Sequence, residues 1–346
     1  MASGRIPVQI ITGFLGSGKT TLLNQVLQNS KFTGTAVIVN EFGEIGLDHL
    51  LVEHGDDTVI ELSNGCLCCT VRGQLIETLE KVLDRNPDRI LIETTGLADP
   101  VPVMQALIGA STLSGRLKFA GLYTVFDVIN GHATLAAYRE ARQQLALADC
   151  IILSKIDLTS LEDQLANSVT ADIRQQNPTA VIVCKNDFLE NADMMAENIA
   201  TLPVFHDTQS PDHHHHDINR HSDAVVCTQL VSETPMEADA FGMFVNLLLS
   251  AHGDRILRLK GLVGITGSAK PLLVQAVAGV MSEPIYLTDW PSGDHRSRIV
   301  VFLNGLSPEF VHKLFDGFMN IPRIGVADRA ALTSNPLAIP GVSPRD

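Results

Sequence analysis

Aromatic residues are scarce in this chain of 346, at 5%, with one tryptophan and three tyrosines, and no stretch approaches 18 uninterrupted apolar residues. A membrane-spanning helix is therefore not expected. No apolar signal region follows Met1-Ala2-Ser3-Gly4-Arg5, so the chain reads as cytoplasmic. Basic residues are outnumbered, 25 Lys+Arg against 39 Asp+Glu, for a net charge of −14. Such a balance repels phosphate backbones and anionic lipid, and neither nucleic acid nor membrane is an expected partner. Charged residues are only 18% and hydrophobic ones 45%, which excludes a disordered or collagen-like chain. Cysteine is also sparse. Three of the six, Cys66, Cys68 and Cys69, fall within four residues, while Cys150, Cys184 and Cys227 stand singly in apolar runs. That is no disulfide framework: the cluster reads as a metal or redox site and the single cysteines as small core residues.

The length suggests two domains. Over the first 200 residues, short β-branched runs alternate with longer amphipathic ones, the pattern of a parallel sheet covered by crossover helices. Strands are expected at Val8 to Thr12, Ala36 to Asn40, Thr58 to Leu62, Arg89 to Glu93, Gly121 to Phe126, Cys150 to Ser154 and Ala180 to Cys184. Helices are expected at Gly18 to Gln28, Val71 to Leu83, Val101 to Ser111, Ala133 to Leu147, Leu161 to Gln176 and Ala192 to Ala200. The predicted class is thus α/β, with helices on both faces of a parallel sheet over residues 1–202. Residues 203–222 hold six of the twelve histidines among Pro, Asp, Ser and Asn and read as a linker. A smaller α+β domain with antiparallel pairing follows over 223–325. Its expected strands are Ala224 to Leu230, Ile256 to Lys260, Leu262 to Thr266, Leu272 to Val277 and Arg298 to Leu303, with helices at Met236 to Ala251 and Pro308 to Phe318. Residues 326–346, rich in proline, read as a loosely packed tail.

Between the first strand and first helix lies Gly13-Phe14-Leu15-Gly16-Ser17-Gly18-Lys19-Thr20, a match to G-x-x-x-x-G-K-[ST] in the strand–loop–helix setting that motif requires. Gly13, Gly16 and Gly18 let backbone N–H groups, with those of Ser17, Thr20 and Thr21, turn around a phosphate. Lys19 reaches the β- and γ-oxygens, and the Thr20 hydroxyl is offered to Mg²⁺. Glu93 closes a buried strand and precedes Thr94-Thr95-Gly96, suiting a carboxylate that holds the Mg²⁺ water shell and a glycine N–H that senses the γ-phosphate. The competing reading of Glu93 is a helix cap. Ser154-Lys155-Ile156-Asp157 has the position of a guanine-recognition element: Asp157 accepts from the ring N–H and amine of guanine while the Lys155 stem covers the base. Adenine has no such donor pair, so GTP is preferred over ATP. Ser154 departs from the Asn usual at that position.

Asn64-Gly65-Cys66-Leu67-Cys68-Cys69 follows the third strand and precedes a helix, on the same expected sheet edge as the phosphate loop. Clustered thiolates favour Zn²⁺ or a neighbouring late transition metal, and Cys-x-Cys-Cys is tighter than the Cys-x₂-Cys of closed structural zinc sites, leaving coordination positions for another loop or a partner. Glu41 and Glu44, after the second strand, could supply a carboxylate to the same metal or face the nucleotide, or else stand as solvated loop residues. His213 to His216, flanked by His206 and His221, offers neutral imidazoles that bind divalent metals weakly, or else forms an inert polar linker.

Together these segments resemble the CobW-like P-loop GTPases that handle metal ions. The resemblance rests on GFLGSGKTTLL at 13–23, NEFGEIGLD at 40–48, ELSNGCLCC at 61–69, ETTGLADP at 93–100, SKID at 154–157 and the histidine-rich linker. RLKGLV at 258–263 and DWPSGDHRSRIVVF at 289–302 resemble the family's C-terminal domain. It implies GTP hydrolysis coupled to delivery of zinc, cobalt or another divalent metal to a client protein or cofactor pathway. Metal binding would fall to Cys66, Cys68 and Cys69 and, as in some members, to Glu44. Some members carry a further carboxylate just before the NEFGE segment; Val39 stands there. The N-terminal client-docking extension of some eukaryotic members is not expected. A homo-oligomer is compatible with the sequence. Two rival readings predict different chemistry: a small-molecule kinase or ATPase with a structural zinc, or a non-catalytic metal sensor or store dominated by His213 to His216. No glutamine or arginine stands out to orient water, so slow intrinsic turnover is expected.

Overall fold

The structure, a computed structural model, describes residues 5–40, 59–61, 70–110, 113, 115–158, 162–191, 225–291 and 293–319. Seven strands form one all-parallel sheet: β1 (Ile6–Thr12), β2 (Thr35–Asn40), β3 (Val59–Glu61), β4 (Arg89–Thr94), β5 (Leu117–Asp127), β6 (Cys150–Ser154) and β7 (Val181–Cys184). Their order is β3-β2-β4-β1-β5-β6-β7. Between them run α1 (Lys19–Gln28), α2 (Thr70–Leu83), α3 (Val101–Gly109), α4 (Gly131–Ala137), α5 (Arg139–Leu147), α6 (Glu162–Gln176) and α7 (Lys185–Glu190). Successive strand residues point to opposite faces. Ile10, Ile38 and Ile92 therefore meet Leu75 and Leu79 of α2 and Met104 of α3, whereas Ile11, Val37 and Leu91 meet Leu22, Leu23 and Val26 of α1. Both faces are dry, which is why the strands are almost wholly apolar.

The C-terminal domain is an antiparallel sheet with two helices on one face. It comprises β8 (Val225–Ser232), α8 (Ala238–His252), β9 (Ile256–Val263), β10 (Leu272–Val277), β11 (Val280–Met281), β12 (Ile285–Tyr286), β13 (Ser297–Asn304) and α9 (Pro308–Met319). The strand order is β11-β10-β9-β13-β8, with β12 on β10. Phe244 of α8 sits at the centre of this core, with the Phe315 and Phe318 rings of α9 at 5.3 and 6.3 Å.

Several expectations are corrected. The single helix expected over Ala133 to Leu147 is two, broken at Tyr138, whose backbone is extended (φ −121°, ψ 127°). The Tyr138 ring packs on Phe14 at 4.5 Å, so contact with the phosphate loop overrides helical periodicity there. The strands expected at Ile256 to Lys260 and Leu262 to Thr266 are one, β9. Gly261 marks close approach rather than a turn: a Cβ there would lie 2.8 Å from Arg298 O on β13. The short helix α7 and strands β11 and β12 were not anticipated. The expected helix at Ala192 to Ala200, the linker and the tail after 325 lie outside the described residues.

The other face of the C-terminal sheet, through Leu257, Val277, Val300 and Phe302, joins the apolar core beneath α2, α3 and α5. Charges are buried in this junction. Asp149, just after α5, accepts from Lys260 Nζ at 3.1 Å and from Arg258, while its other oxygen accepts from Leu122 N–H at 2.9 Å. Arg258 also donates to Leu147 O at the end of α5, and Gln105 Nε2 of α3 donates to Ala278 O at 2.8 Å. Burial opposes ionisation of Asp149, but the two cations and the amide outweigh it and hold the carboxyl down at about 2. Lys260 is the strained member: its burial and the like charge of Arg258 push its pKa down, against the pull of Asp149. One anion thus serves two cations.

Removing that anion strands two buried positive charges, so Asp149→Asn is expected to destabilise the full chain by about 3–5 kcal/mol in urea unfolding. Glu309→Gln, in an exposed pair with Lys313, should leave the midpoint unchanged. With the folded pKa at about 2 and the ordinary value at 3.8, the carboxylate's contribution is complete above about pH 4 and fades as pH falls towards 2. An Asp149→Asn midpoint equal to that of the parent would show that the charges do not hold the domains together.

Candidate functional site

Parallel register brings the strand ends to one edge. Ile11 pairs with Glu93, Thr12 with Thr124, and Asp127 with Ser154, so the segments after β1, β4, β5 and β6 emerge side by side. Asn40 pairs with Thr94 and Val39 with Glu61, so β2 and β3 end on that edge too.

At the start of the phosphate loop Gly13 has φ 144°, and a Cβ would lie 2.4 Å from Val125 O and 2.8 Å from Ser17 Oγ. Only glycine fits between the loop and β5. Gly16 (φ 72°) and Gly18 (φ 96°) complete the left-handed path into α1, where Gly18 is the N-cap and makes no side-chain capping bond. The N–H groups of this first turn, and the positive end of the helix, face the loop. Lys19 is buried, and its Nζ donates to Gly13 O at 2.8 Å and Phe14 O at 3.2 Å, curling across the loop. Thr20 and Thr21 are exposed on the first turn.

Thr20 Oγ1 donates to Glu93 Oε1 at 3.1 Å, and Glu93 is buried at 6% exposure. A hydroxyl and a carboxylate this close, at a phosphate-binding helix start, form the small hard-oxygen donor set that Mg²⁺ uses when phosphates and water complete its shell. The residues present fit that ion. Behind them Thr94 Oγ1 donates to Thr12 Oγ1 at 2.8 Å, tying β4 to β1. Gly96 is pressed onto the phosphate loop: a Cβ would come within 2.7 Å of Leu15 N and 2.8 Å of its Cα.

On the other side, Ser154 is buried, and its single hydroxyl proton is shared between Ser17 O at 2.7 Å and Phe126 O at 3.1 Å. The serine at the usual asparagine position thus anchors this segment to the phosphate loop. Lys155 (φ 62°) places its Nζ 2.7 Å from Asp127 Oδ2, and Asp157 is exposed in a short 3₁₀ turn, Ile156–Leu158. Burial opposes ionisation of Asp127, but Lys155 and the Asn130 and Ile129 donors prevail and keep its carboxyl below the usual value. A cavity of about 240 Å³ beside the loop is lined by residues including Ser17, Thr124, Asp127, Gln144 and Lys155. Asp127 and Gln144 were not found by sequence reasoning. The acidic end of a buried strand was the available sign for Asp127, whereas nothing local marks Gln144.

Cys66, Cys68, Cys69, Glu41, Glu44, and the histidines at 206, 213–216 and 221 lie outside the described residues. Among the described residues no group of three or more His, Cys, Asp or Glu could hold a metal ion. Among the described residues the three remaining cysteines are free. Burial pushes the Cys227 thiol up to about 12 and Cys150 well above its ordinary range, so neither is a ready thiolate.

Residues 7–184 match the CobW/HypB/UreG nucleotide-binding domain, and residues 225–319 match the cobalamin synthesis protein CobW C-terminal domain. The chain belongs to the CobW/HypB/UreG family of P-loop GTPases. Within that family it is 31% identical over 330 residues to the zinc chaperone CobW of Sinorhizobium sp, covering 86% of this chain and 92% of that protein. It is 32% identical over 322 residues to the zinc chaperone YjiA of Escherichia coli K12, covering 88% and 95%. A zinc-regulated GTPase metalloprotein activator 1 from Schizosaccharomyces pombe is 42% identical over 166 residues, 45% of this chain and 40% of that one. In structure, Zn(II)-bound YjiA from E. coli aligns with a TM-score of 0.68 at 23% identity, covering 91% of this chain and 99% of that one, and shares the fold. No described helix is long and apolar enough to cross a membrane.

Gly96→Ala tests the close approach of the two loops. Its methyl would wedge them apart, so GTP turnover should fall by roughly 100-fold, as for loss of one backbone donor. GDP binding, measured by fluorescent-nucleotide titration, should change little. Unaltered turnover would remove Gly96 from the site.

Proposed function

We propose that the protein is a GTP-hydrolysing metallochaperone that carries a divalent transition metal, zinc first and cobalt as the alternative, to a client metalloprotein. The observation that carries this reading is the shared sheet edge. The ends of β2 and β3, from which the Asn40 to Asp48 and Leu62 to Cys69 segments continue, lie in register with the strand ends that bear the nucleotide residues. With strands about 4.8 Å apart, the end of β3 stands roughly 14 Å from that of β1. A metal held between them is within reach of loops that a γ-phosphate orders. The zinc assignment is supported by the zinc chaperones to which the chain is similar.

In this reading Gly13, Gly16, Ser17, Gly18 and Thr21 cradle the phosphates through their backbone. Lys19 exchanges its loop carbonyls for β- and γ-oxygens. Thr20 and Glu93 hold Mg²⁺, which when bound neutralises phosphate charge. Gly96 presents its N–H to the γ-phosphate, and Lys155 and Asp157 select guanine. Cys66, Cys68 and Cys69, with Glu44, hold the cargo ion as thiolates and carboxylate, and His213 to His216 offers a weaker capture site. Loss of the γ-phosphate relaxes the loops and releases the ion.

Zinc titrations of the full chain with GDP and with a non-hydrolysable GTP analogue test this. Affinity should be at least about tenfold tighter with the analogue, within the usual range of coupling energies. Replacing Cys66, Cys68 and Cys69 together with Ser should abolish the high-affinity site while leaving nucleotide binding intact. Equal zinc affinity in both nucleotide states would eliminate gating, and unchanged affinity in the triple variant would eliminate the cysteine site.

A further inference from the structure

Gln144 is 1% exposed, on α5, and its Nε2 donates to Gly96 O and Ala98 O, each at 3.1 Å. These carbonyls belong to the turn after β4, closed by Ala98 N–H to Thr95 O at 3.1 Å, whose Gly96 abuts Leu15 of the phosphate loop. Both Nε2 protons are thus used on one turn. The Gln144 Oε1 is buried with no hydrogen-bond partner among the described residues, and the residue lines the cavity beside Ser17. Leaving a buried acceptor unpaired is costly, so the side chain is held where it grips the turn rather than where its own polar atoms are best satisfied.

Hydrogen bonds tie the platform at both ends of that grip. Thr124 Oγ1 of β5 donates to the Gln144 carbonyl at 2.8 Å, and three residues on, Leu147 O accepts from Arg258 of the C-terminal sheet. The turn leads into α3, whose Gln105 donates to Ala278 O in the turn between β10 and β11. Both elements bracketing Gly96 are therefore seated on the C-terminal domain.

We propose that Gln144 is a positioning residue for GTP hydrolysis, clamping the Gly96–Ala98 turn to α5 so that the Gly96 N–H is aimed at the γ-phosphate. This rests on the assignment of Gly96 as the γ-phosphate contact. With both Nε2 donors engaged there, the action proposed for Gln144 is on the turn.

Gln144→Met in the full chain keeps the length and bulk of the side chain and removes both donors. Steady-state GTP hydrolysis, together with affinities for GDP and a non-hydrolysable GTP analogue, reads the effect. The expected result is a fall in kcat of roughly tenfold or more with a smaller change in KM. Affinity for the analogue should weaken while that for GDP, which has no γ-phosphate, stays within about twofold of the parent. An unchanged kcat and analogue-to-GDP ratio would overturn the proposal, as would equal weakening of both nucleotides, which marks a merely structural role. Should Gln144→Met not fold, Thr124→Val, which loosens α5 at Gln144, is expected to shift kcat and the ratio the same way, and no shift would overturn the proposal. A parent protein that neither prefers nor hydrolyses GTP would instead sink the nucleotide assignment itself.

Discussion

The in-register parallel pairing of β4 between β1 and β2 is the constraint on which the rest depends. It fixes Glu93 beside Ile11, with only Thr12 between that position and the phosphate loop, and within reach of Thr20. A slip of one residue would turn Glu93 to the opposite face and destroy the pair. The same register pins Thr94 to Thr12 and brings the following turn down on Leu15. Because β2 pairs on the other side of β4, the segments proposed to hold the cargo metal leave from the same edge as the nucleotide loops.

What could be read in the sequence is what local chemistry dictates. The glycines of residues 13–18 are legible because backbone paths at φ 72°, 96° and 144° admit little else. Glu93 and Lys155 are legible because they end apolar runs. Asp127 also ends an apolar run and was passed over, its partner Lys155 standing 28 residues on, whereas Gln144 is not legible, since its role arises from a contact 46 residues away. Tyr138 misled because a residue that suits a helix by pattern is pulled into extended backbone by Phe14. The two strands expected on either side of Gly261 are one, because the missing side chain there permits the close approach of β13 within a continuous strand. Arg258 and Lys260, on one face of an otherwise apolar strand, were a visible sign of a buried counter-charge that only the fold could locate at Asp149.

That buried charge cluster bears on function as well as stability. An ion triad is a poor substitute for apolar packing as a source of stability, but it specifies one docking geometry because any other leaves charges unpaired. Here it fixes the end of α5, and α5 carries the residue that grips the Gly96 turn. The C-terminal domain is thus connected to the nucleotide loops by hydrogen bonds through α3 and α5 rather than by apolar contact alone.

In the proposed function metal and third phosphate are thermodynamically linked, and linkage is reciprocal. The most direct measurement is the affinity of a fluorescent non-hydrolysable GTP analogue across a buffered series of free zinc, with a GDP analogue beside it. Zinc is expected to tighten the triphosphate by the same factor that the triphosphate tightens zinc, and to leave GDP unaffected. An affinity for the triphosphate that is flat across the zinc series would contradict it.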